Sequence, residues 1–172
     1  MDIVLLNKDE YIKRDFLSEY TTTSYLDIII NSNKYEIVEK AFLTPQNKSS
    51  VYNLFESWLE DPIAYGAFIE EKLIGIVEGS IESWNNRFRI TNILVFAGYR
   101  HQGVGQKLMD KMIEVAKNKK VRMIVLETQS CNINAISFYK KNGFEIIGWD
   151  LFNYSNNDLE KNEVRIEMGK FL

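Results

Sequence analysis

Residues 90–118 constrain the fold more than any other part of the chain. An apolar run over residues 90–96 is followed by Arg100-His101-Gln102-Gly103-Val104-Gly105 and then by an amphipathic stretch. A strand, a glycine-containing turn and a helix, in this order, present backbone N–H groups at the positive end of the helix dipole. Because Gly103 and Gly105 lack side chains, a ligand can approach the main chain closely. The pattern therefore predicts a phosphate-binding turn.

The composition predicts an ordinary globular protein. The chain has 172 residues, 45% of them hydrophobic and 26% charged, which is enough to bury a core. We find no repeats and no linker, so we expect one domain over residues 1–172. The net charge of −3 argues against a general nucleic-acid or anionic-membrane surface.

Cysteine content and terminal composition restrict the compartment and the chemistry. The single Cys131 excludes an internal disulfide and a Cys-rich zinc site, and we expect no metal. The N-terminal residues lack the basic and apolar regions of a secretory signal. Apolar runs are far shorter than the ~20 residues that span a bilayer. We therefore predict a cytoplasmic protein without a nucleic-acid or membrane partner.

The spacing of apolar residues predicts a sheet with helices on its faces. Residues 63–69 and 73–81 have the character of two strands joined by a charged turn, and 88–96 returns as a third strand. Helical spacing of Val104, Leu108, Met112 and Val115 predicts a helix over about residues 103–118. Further strands are predicted at 3–6, 27–30, 121–126, 144–152 and 164–168. Further helices are predicted from Ser49 or Ser50 to Leu59 and from Asn132 or Asn134 to about Asn142. Hairpins mixed with crossovers predict an α/β (α+β) fold with a mixed, mostly antiparallel sheet.

A second motif lies about thirty residues beyond the turn. It reads Asn132-x-x-Ala135-x-x-Phe138-Tyr139-x-x-x-Gly143-Phe144. Together with Arg-x-x-Gly-x-Gly it resembles the acetyl-CoA signature of the GNAT N-acetyltransferases. The resemblance extends over residues 73–152, roughly half of the chain. It implies the GNAT fold, with six to seven strands of which the fourth and fifth splay apart, and it implies acetyl-CoA as cosubstrate.

The GNAT resemblance also implies roles for individual residues. The backbone of Ile93, Leu94 and Val95 would pair with pantetheine, much as a peptide adds to a sheet edge. Asn132 would contact the cofactor, and Tyr139 would protonate the leaving thiolate. The residues that would hold the pyrophosphate are Arg100, His101, Gln102, Gly103, Val104, Gly105 and Gln106.

A narrower resemblance concerns the acceptor side. The motifs Leu126-Glu127-Thr128-Gln129, Ser83-Trp84-Asn85-Asn86 and Gly148-Trp149-Asp150, with Tyr154, are similar to streptothricin N-acetyltransferases. The spacing from Glu127 to Asn132 also matches ribosomal-protein alanine N-acetyltransferases, in which this glutamate is the general base. The chain departs from the pattern at Thr91-Asn92, because streptothricin enzymes carry an acidic pair there.

The chemistry of an amine acceptor requires a proton acceptor. A primary alkylamine has a pKa near ~10.4, so at neutral pH it is mostly protonated and must lose a proton before it attacks. Glu127, at the end of an apolar strand, is the candidate base or amine anchor, with a solvated strand-end residue as the alternative. The other candidate proton acceptors are Glu82, on a neighbouring strand, and water. Asp150 and Tyr154 would contact the substrate, although a turn role suits Asp150 equally well.

These observations predict an acetyl-CoA-dependent N-acetyltransferase that acts on a small cationic amine such as a streptothricin-type antibiotic. Two alternatives stay open. The acceptor could be a protein N-terminus or a polyamine, or the chain could be a non-catalytic acyl-CoA-binding sensor. Since GNAT proteins are often dimers, the resemblance is also compatible with a homodimer.

Overall fold

The computed structural model describes residues 1–172 and contains nine β-strands and four α-helices. The strands are β1 (Asp2–Leu5), β2 (Phe16–Asn31), β3 (Lys34–Tyr52), β4 (Glu60–Ile69), β5 (Lys72–Glu82), β6 (Arg87–Val95), β7 (Met123–Gln129), β8 (Glu145–Asp150) and β9 (Arg165–Phe171). The helices are α1 (Lys8–Tyr11), α2 (Val104–Asn118), α3 (Ile133–Lys141) and α4 (Asp158–Lys161). None of them combines the length and the apolar character needed to cross a lipid bilayer.

Seven strands form one mixed sheet in the order β1-β4-β5-β6-β7-β9-β8, and β2 pairs with β3 in a separate sheet. Strand β6 runs parallel to β7, whereas β1 with β4, β4 with β5, β5 with β6, and β8 with β9 are antiparallel. The predicted mixed, mostly antiparallel sheet is confirmed. Strands β6 and β7 are the fourth and fifth across the sheet. Their register pairs residues 87–89 with 123–125, and β6 then continues beyond this pairing.

The chain divides into two compact units, and the prediction of one domain over residues 1–172 stays a prediction. The first unit comprises Met1–Glu19, Ser49–Leu126 and Phe171–Leu172. Helix α2 packs on β5 with the apolar face that the sequence predicts, since Val104, Leu108, Met112 and Val115 are all buried. A Cβ on Gly75 would lie 3.2 Å from Leu108 and 3.3 Å from Val104, so the small residue allows this close approach.

A hydrophobic cluster in the same unit packs around Ile76 of β5 and Leu94 of β6. The Phe16 and Phe96 rings stack there with centroids 6.3 Å apart. The buried residues of the cluster are Leu6, Tyr11, Phe16, Leu54, Phe55, Ala64, Ile76 and Leu94. This cluster fixes the end of β6 that leads into the glycine turn.

The second unit comprises Tyr20–Lys48 and Glu127–Lys170. Helix α3 begins as predicted at Asn132, whose side-chain oxygen accepts a hydrogen bond from the Ala135 N–H at 3.3 Å. The helix ends before Gly143, which has φ +81. The loop after β8 is organised by buried Asp158, which accepts hydrogen bonds from the Tyr154 N–H and the Ser155 hydroxyl.

The predicted helix over residues 49–59 is wrong. Residues 49–52 belong to β3, and the chain then turns to the start of β4, with Phe55 at φ +61. Val51 and Tyr52 are residue types that favour strands, and pairing with β2 supplies the backbone partners that a local pattern does not reveal. The two prolines also lie inside strands. Pro62 sits at the register shift between Glu60 and Ile63, where a missing N–H is tolerated.

Candidate active site

The predicted phosphate-binding turn has the required backbone form. His101 has φ +62 and Gly103 has φ +80, and Gly103 caps the N-terminus of α2. The first turn of an α-helix leaves N–H groups without intrahelical acceptors, here those of Val104, Gly105 and Gln106. A Cβ on Gly103 would meet nothing within 4 Å, so the main chain is open to a ligand. This geometry fits the pyrophosphate of a nucleotide cofactor.

Polar side chains of the turn bond mainly to neighbouring protein groups. The Arg100 guanidinium donates to the Val95 carbonyl at 3.2 Å and to the Glu19 carbonyl at 2.6 Å. Gln102 donates to the Gly98 carbonyl at 3.1 Å, and Gln106 to the Asp110 carboxylate at 2.8 Å. Arg100 therefore holds the turn against the end of β6. The His101 side chain is exposed to solvent, and the backbone N–H groups of the turn remain for a ligand.

Strand β6 carries the backbone groups that are expected to bind pantetheine. Ile93, Leu94 and Val95 pair with Val77, Ile76 and Gly75 of β5 on one side. The register with β7 on the other side covers residues 87–89 of β6, so the stretch from Ile93 to Val95 lies beyond it. The predicted splay of the fourth and fifth strands is thus present at these residues.

A buried carboxylate that belongs to none of the sequence motifs lies in the middle of β5. Glu78 is 0% exposed and accepts three hydrogen bonds, from the Phe55 N–H at 2.5 Å, the Thr91 hydroxyl at 2.6 Å and the Asn92 amide at 3.0 Å. A charged residue inside the apolar run 73–81 was the signal for it. Thr91 and Asn92, where the sequence departs from the streptothricin pattern, therefore both donate to a carboxylate of the adjacent strand.

Glu82, the alternative proton acceptor, is held in an ion-pair network. Its carboxylate bonds to Arg89 Nε at 2.5 Å and to Arg87 at 2.8 Å. Burial raises the pKa of Glu82, but the hydrogen bonds and charges of Arg89 and Arg87 outweigh burial and hold the pKa below its usual value. Both oxygens of Glu82 are thus occupied by arginines, whereas Arg165 pairs with only one oxygen of Glu127, so Glu127 is the better placed proton acceptor.

In the second unit, Tyr139 is packed among aromatic rings. Its side chain is 7% exposed, with ring centroids 5.7 Å from Phe138 and 6.2 Å from Phe144. Asn132 uses its side-chain oxygen to cap α3, which leaves the amide nitrogen as a donor for a ligand. Helix α3 thus positions both residues, because Asn132 lies at its N-terminus and Tyr139 lies within it.

Glu127 belongs to a polar cluster at the end of β7. One carboxylate oxygen lies 2.5 Å from Arg165, and the other accepts a hydrogen bond from the Tyr154 hydroxyl at 3.4 Å. Arg165 also bonds to Glu167 at 3.2 Å, and Asp150 is its cross-strand partner in the β8–β9 register. Two carboxylates, those of Glu127 and Glu167, therefore share one guanidinium. The structure brings Glu127 and Tyr154 together, while Arg165 was overlooked because β9 carried no motif.

The remaining residues have simpler surroundings. Exposed Asp150 accepts a hydrogen bond from the Phe152 N–H at 3.0 Å, the turn role that was kept as an alternative. Cys131 is buried, and its sulfur lies 3.5 Å from the Tyr20 hydroxyl. Burial raises the pKa of the Cys131 thiol, so it stays protonated at neutral pH and is a poor nucleophile.

The sequence is similar to those of known acetyltransferases. Residues 32–144 match the acetyltransferase (GNAT) family. The chain is 29% identical over 149 residues to a streptothricin acetyltransferase of Escherichia coli, covering 87% of this chain and 83% of the relative. It is 33% identical over 125 residues to a protein of Bacillus subtilis (strain 168) assigned as a ribosomal protein bS18 alanine N-acetyltransferase, covering 72% of this chain and 80% of the relative.

A solved structure shows the same fold with the cosubstrate bound. It is a Bacillus anthracis protein assigned as a streptothricin acetyltransferase, in complex with acetyl coenzyme A. It is 26% identical, with a TM-score of 0.74, and the alignment covers 99% of this chain and 96% of that one. The glycine turn, the splayed strands and these matches agree, and the chain therefore belongs to the GNAT family of N-acetyltransferases, with acetyl-CoA as the acetyl donor.

Proposed function

We propose that this acetyltransferase modifies a primary amine of a small polycation of the streptothricin type. The observation that carries the proposal is the hydrogen bond between Tyr154 and Glu127, two residues that the resemblance to streptothricin enzymes singled out. Glu127 and Glu167 both pair with the single Arg165, with Asp150 opposite it in the β8–β9 register, and an excess of negative charge attracts a cation and orients it. Similarity to the E. coli streptothricin acetyltransferase supports the same assignment.

The proposed reaction is direct transfer. The amine nitrogen attacks the thioester carbonyl, a C–N bond forms and the C–S bond breaks. Glu127 accepts the amine proton, directly or through water, and Tyr139 donates a proton to the departing thiolate. Backbone N–H groups of β6 near Leu94 polarise the carbonyl. The pyrophosphate binds the turn from Arg100 to Gln106, and Asn132 donates to the cofactor.

The alternative acceptor is the N-terminus of a protein, which the similarity to the B. subtilis alanine N-acetyltransferase favours. The two acceptors differ in charge, because a β-lysine side chain carries more positive charge than a peptide N-terminus. The carboxylate excess around Arg165 favours the more cationic acceptor.

An amine panel tests the proposed acceptor. We expect kcat/KM, measured by thiol release from acetyl-CoA, to be higher for streptothricin than for spermidine or an alanine-initiated ribosomal peptide. Asp150→Asn should raise KM for streptothricin more than KM for acetyl-CoA. The matched control is Glu145→Gln, which removes one exposed charge at the other end of β8 and should change neither constant. Faster acetylation of the peptide would instead identify a protein acetyltransferase.

Glu127→Gln tests the proton acceptor. The variant keeps the shape of the side chain and removes its basicity, so we expect lower activity at neutral pH and an altered acidic limb of the pH–rate profile. Glu167→Gln removes the other carboxylate of Arg165 and should weaken streptothricin binding without altering the acidic limb of the pH–rate profile. If the rate of Glu127→Gln is lower by the same factor at every pH, the apparent pKa of the acidic limb is unchanged. Glu127 would then bind the amine without accepting its proton, and water would be the proton acceptor.

We also propose that the chain acts in the cytoplasm, where its acetyl donor is available, and that it forms a homodimer as many GNAT proteins do. Light scattering on the purified chain measures the mass in solution. A particle of 20.1 kDa, the mass of one chain, would contradict the dimer.

A further inference from the structure

The bulge in β6 gathers two polar side chains around one buried carboxylate. Glu78 pairs with Asn92 in the β5–β6 register, and the next pair is Gly79 with Ile90, so Thr91 is the extra residue. A bulge of this kind re-aims side chains, and both Thr91 and Asn92 reach the same oxygen of Glu78. The cluster lies two residues before Leu94, at the start of the stretch expected to hold the cosubstrate.

The buried carboxylate determines which hydrogen-bonding capacity of the bulge remains unused. The Thr91 hydroxyl gives its hydrogen to Glu78, and the Asn92 amide gives its two hydrogens to Glu78 and to the Asn53 carbonyl at 3.2 Å. The atoms left for a ligand are therefore oxygen lone pairs, on Thr91 Oγ1 and Asn92 Oδ1. Thr91 and Asn92 are only half-buried, whereas Glu78 is fully buried.

We propose that Thr91 and Asn92 form an ammonium-binding subsite for the acceptor amine, and that Glu78 is the positioning residue that orients them. An ammonium group has three hydrogens to donate and no acceptor, so two oxygen atoms with unused lone pairs beside a buried carboxylate complement it. This inference rests on the proposed function, since it assumes a cationic acceptor.

Glu78→Gln removes the buried charge and adds a donor where three donors converge. The Thr91 and Asn92 side chains must then turn their hydrogens outward, toward the ammonium. We expect KM for streptothricin to rise about tenfold or more, while KM for acetyl-CoA stays within about twofold. The matched control is Ser80→Ala, which removes another buried hydrogen bond of β5, from the Ser80 hydroxyl to the Glu60 carbonyl at 2.7 Å.

A second pair of variants leaves Glu78 intact. Thr91→Val removes the hydroxyl and keeps the shape, whereas Thr91→Ser keeps the hydroxyl. We expect Thr91→Val to raise KM for streptothricin and Thr91→Ser to leave it unchanged. The inference is wrong if the two variants behave alike, or if the constants for amine and acetyl-CoA rise together in Glu78→Gln.

Calorimetry with streptothricin and the CoA-loaded protein separates this inference from the proposed reaction. Wild-type protein that binds streptothricin but releases no thiol contradicts the proposed reaction, and weaker binding to Thr91→Val than to Thr91→Ser then still supports the subsite. Absence of streptothricin binding to the wild type contradicts the subsite itself. Streptothricin binding that Thr91→Val leaves unchanged also overturns it.

Discussion

Tyr139→Phe should lower kcat by about 10²–10⁴, the usual contribution of a general acid, with little change in KM for acetyl-CoA. Phe keeps the ring that packs between Phe138 and Phe144, so the fold should be retained. Without the phenolic proton, the thiolate must leave as an anion or take a proton from water. Thiol release at saturating acetyl-CoA and amine measures the effect.

The matched control for the loss of the Tyr139 hydroxyl is Tyr25→Phe. Tyr25 packs against Phe42 with ring centroids 4.7 Å apart and has no proposed part in the reaction, so removal of its hydroxyl should leave kcat unchanged. Wild-type turnover in Tyr139→Phe would show that Tyr139 serves only in packing.

Gly103→Glu should abolish detectable CoA binding, a loss of about a hundredfold or more, because a carboxylate near the pyrophosphate repels it. The positive φ of 80 at this residue adds strain for any side chain. The fold should survive, since a Cβ there meets nothing within 4 Å. Calorimetry with CoA and circular dichroism measure the two effects.

Gly98→Glu is the control for added charge. Gly98 is exposed, and a Cβ there also meets nothing within 4 Å, but no positive φ is involved. We expect this variant to bind CoA at least tenfold more tightly than Gly103→Glu does. Equal CoA affinity in folded Gly103→Glu and wild type would place the pyrophosphate elsewhere.

Elements with strong local signals were predicted correctly. Helix α2 has a regular apolar face that becomes buried, α3 begins at a capping asparagine and ends at a glycine with positive φ, and β4 and β5 meet at a charged turn. Each of these features has its signal in residues near in sequence, even where the packing partner is distant, so the local pattern reveals it. The residue roles drawn from the resemblance stay predictions until the variants are measured.

The errors lie where partners are distant in sequence. Residues 49–52 extend β3 because β2 offers them backbone partners, and this pairing overrides a local pattern that favoured a helix. Similarly, the ion pair between Arg165 and Glu127 spans strands far apart in the chain. Neither partner identity nor strand length can be obtained from the residues of one segment.

The sequence by itself determined the family, the glycine turn and the cosubstrate, because a phosphate site at a helix N-terminus is built from consecutive residues whose backbone does the binding. Only the tertiary structure decided the surroundings of the carboxylates. Glu78 is buried against Thr91 and Asn92, Glu82 is held by two arginines, and Glu127 is shared between Arg165 and Tyr154. The chemistry of a carboxylate depends on burial and on nearby charges, and these are set by strand pairing and register.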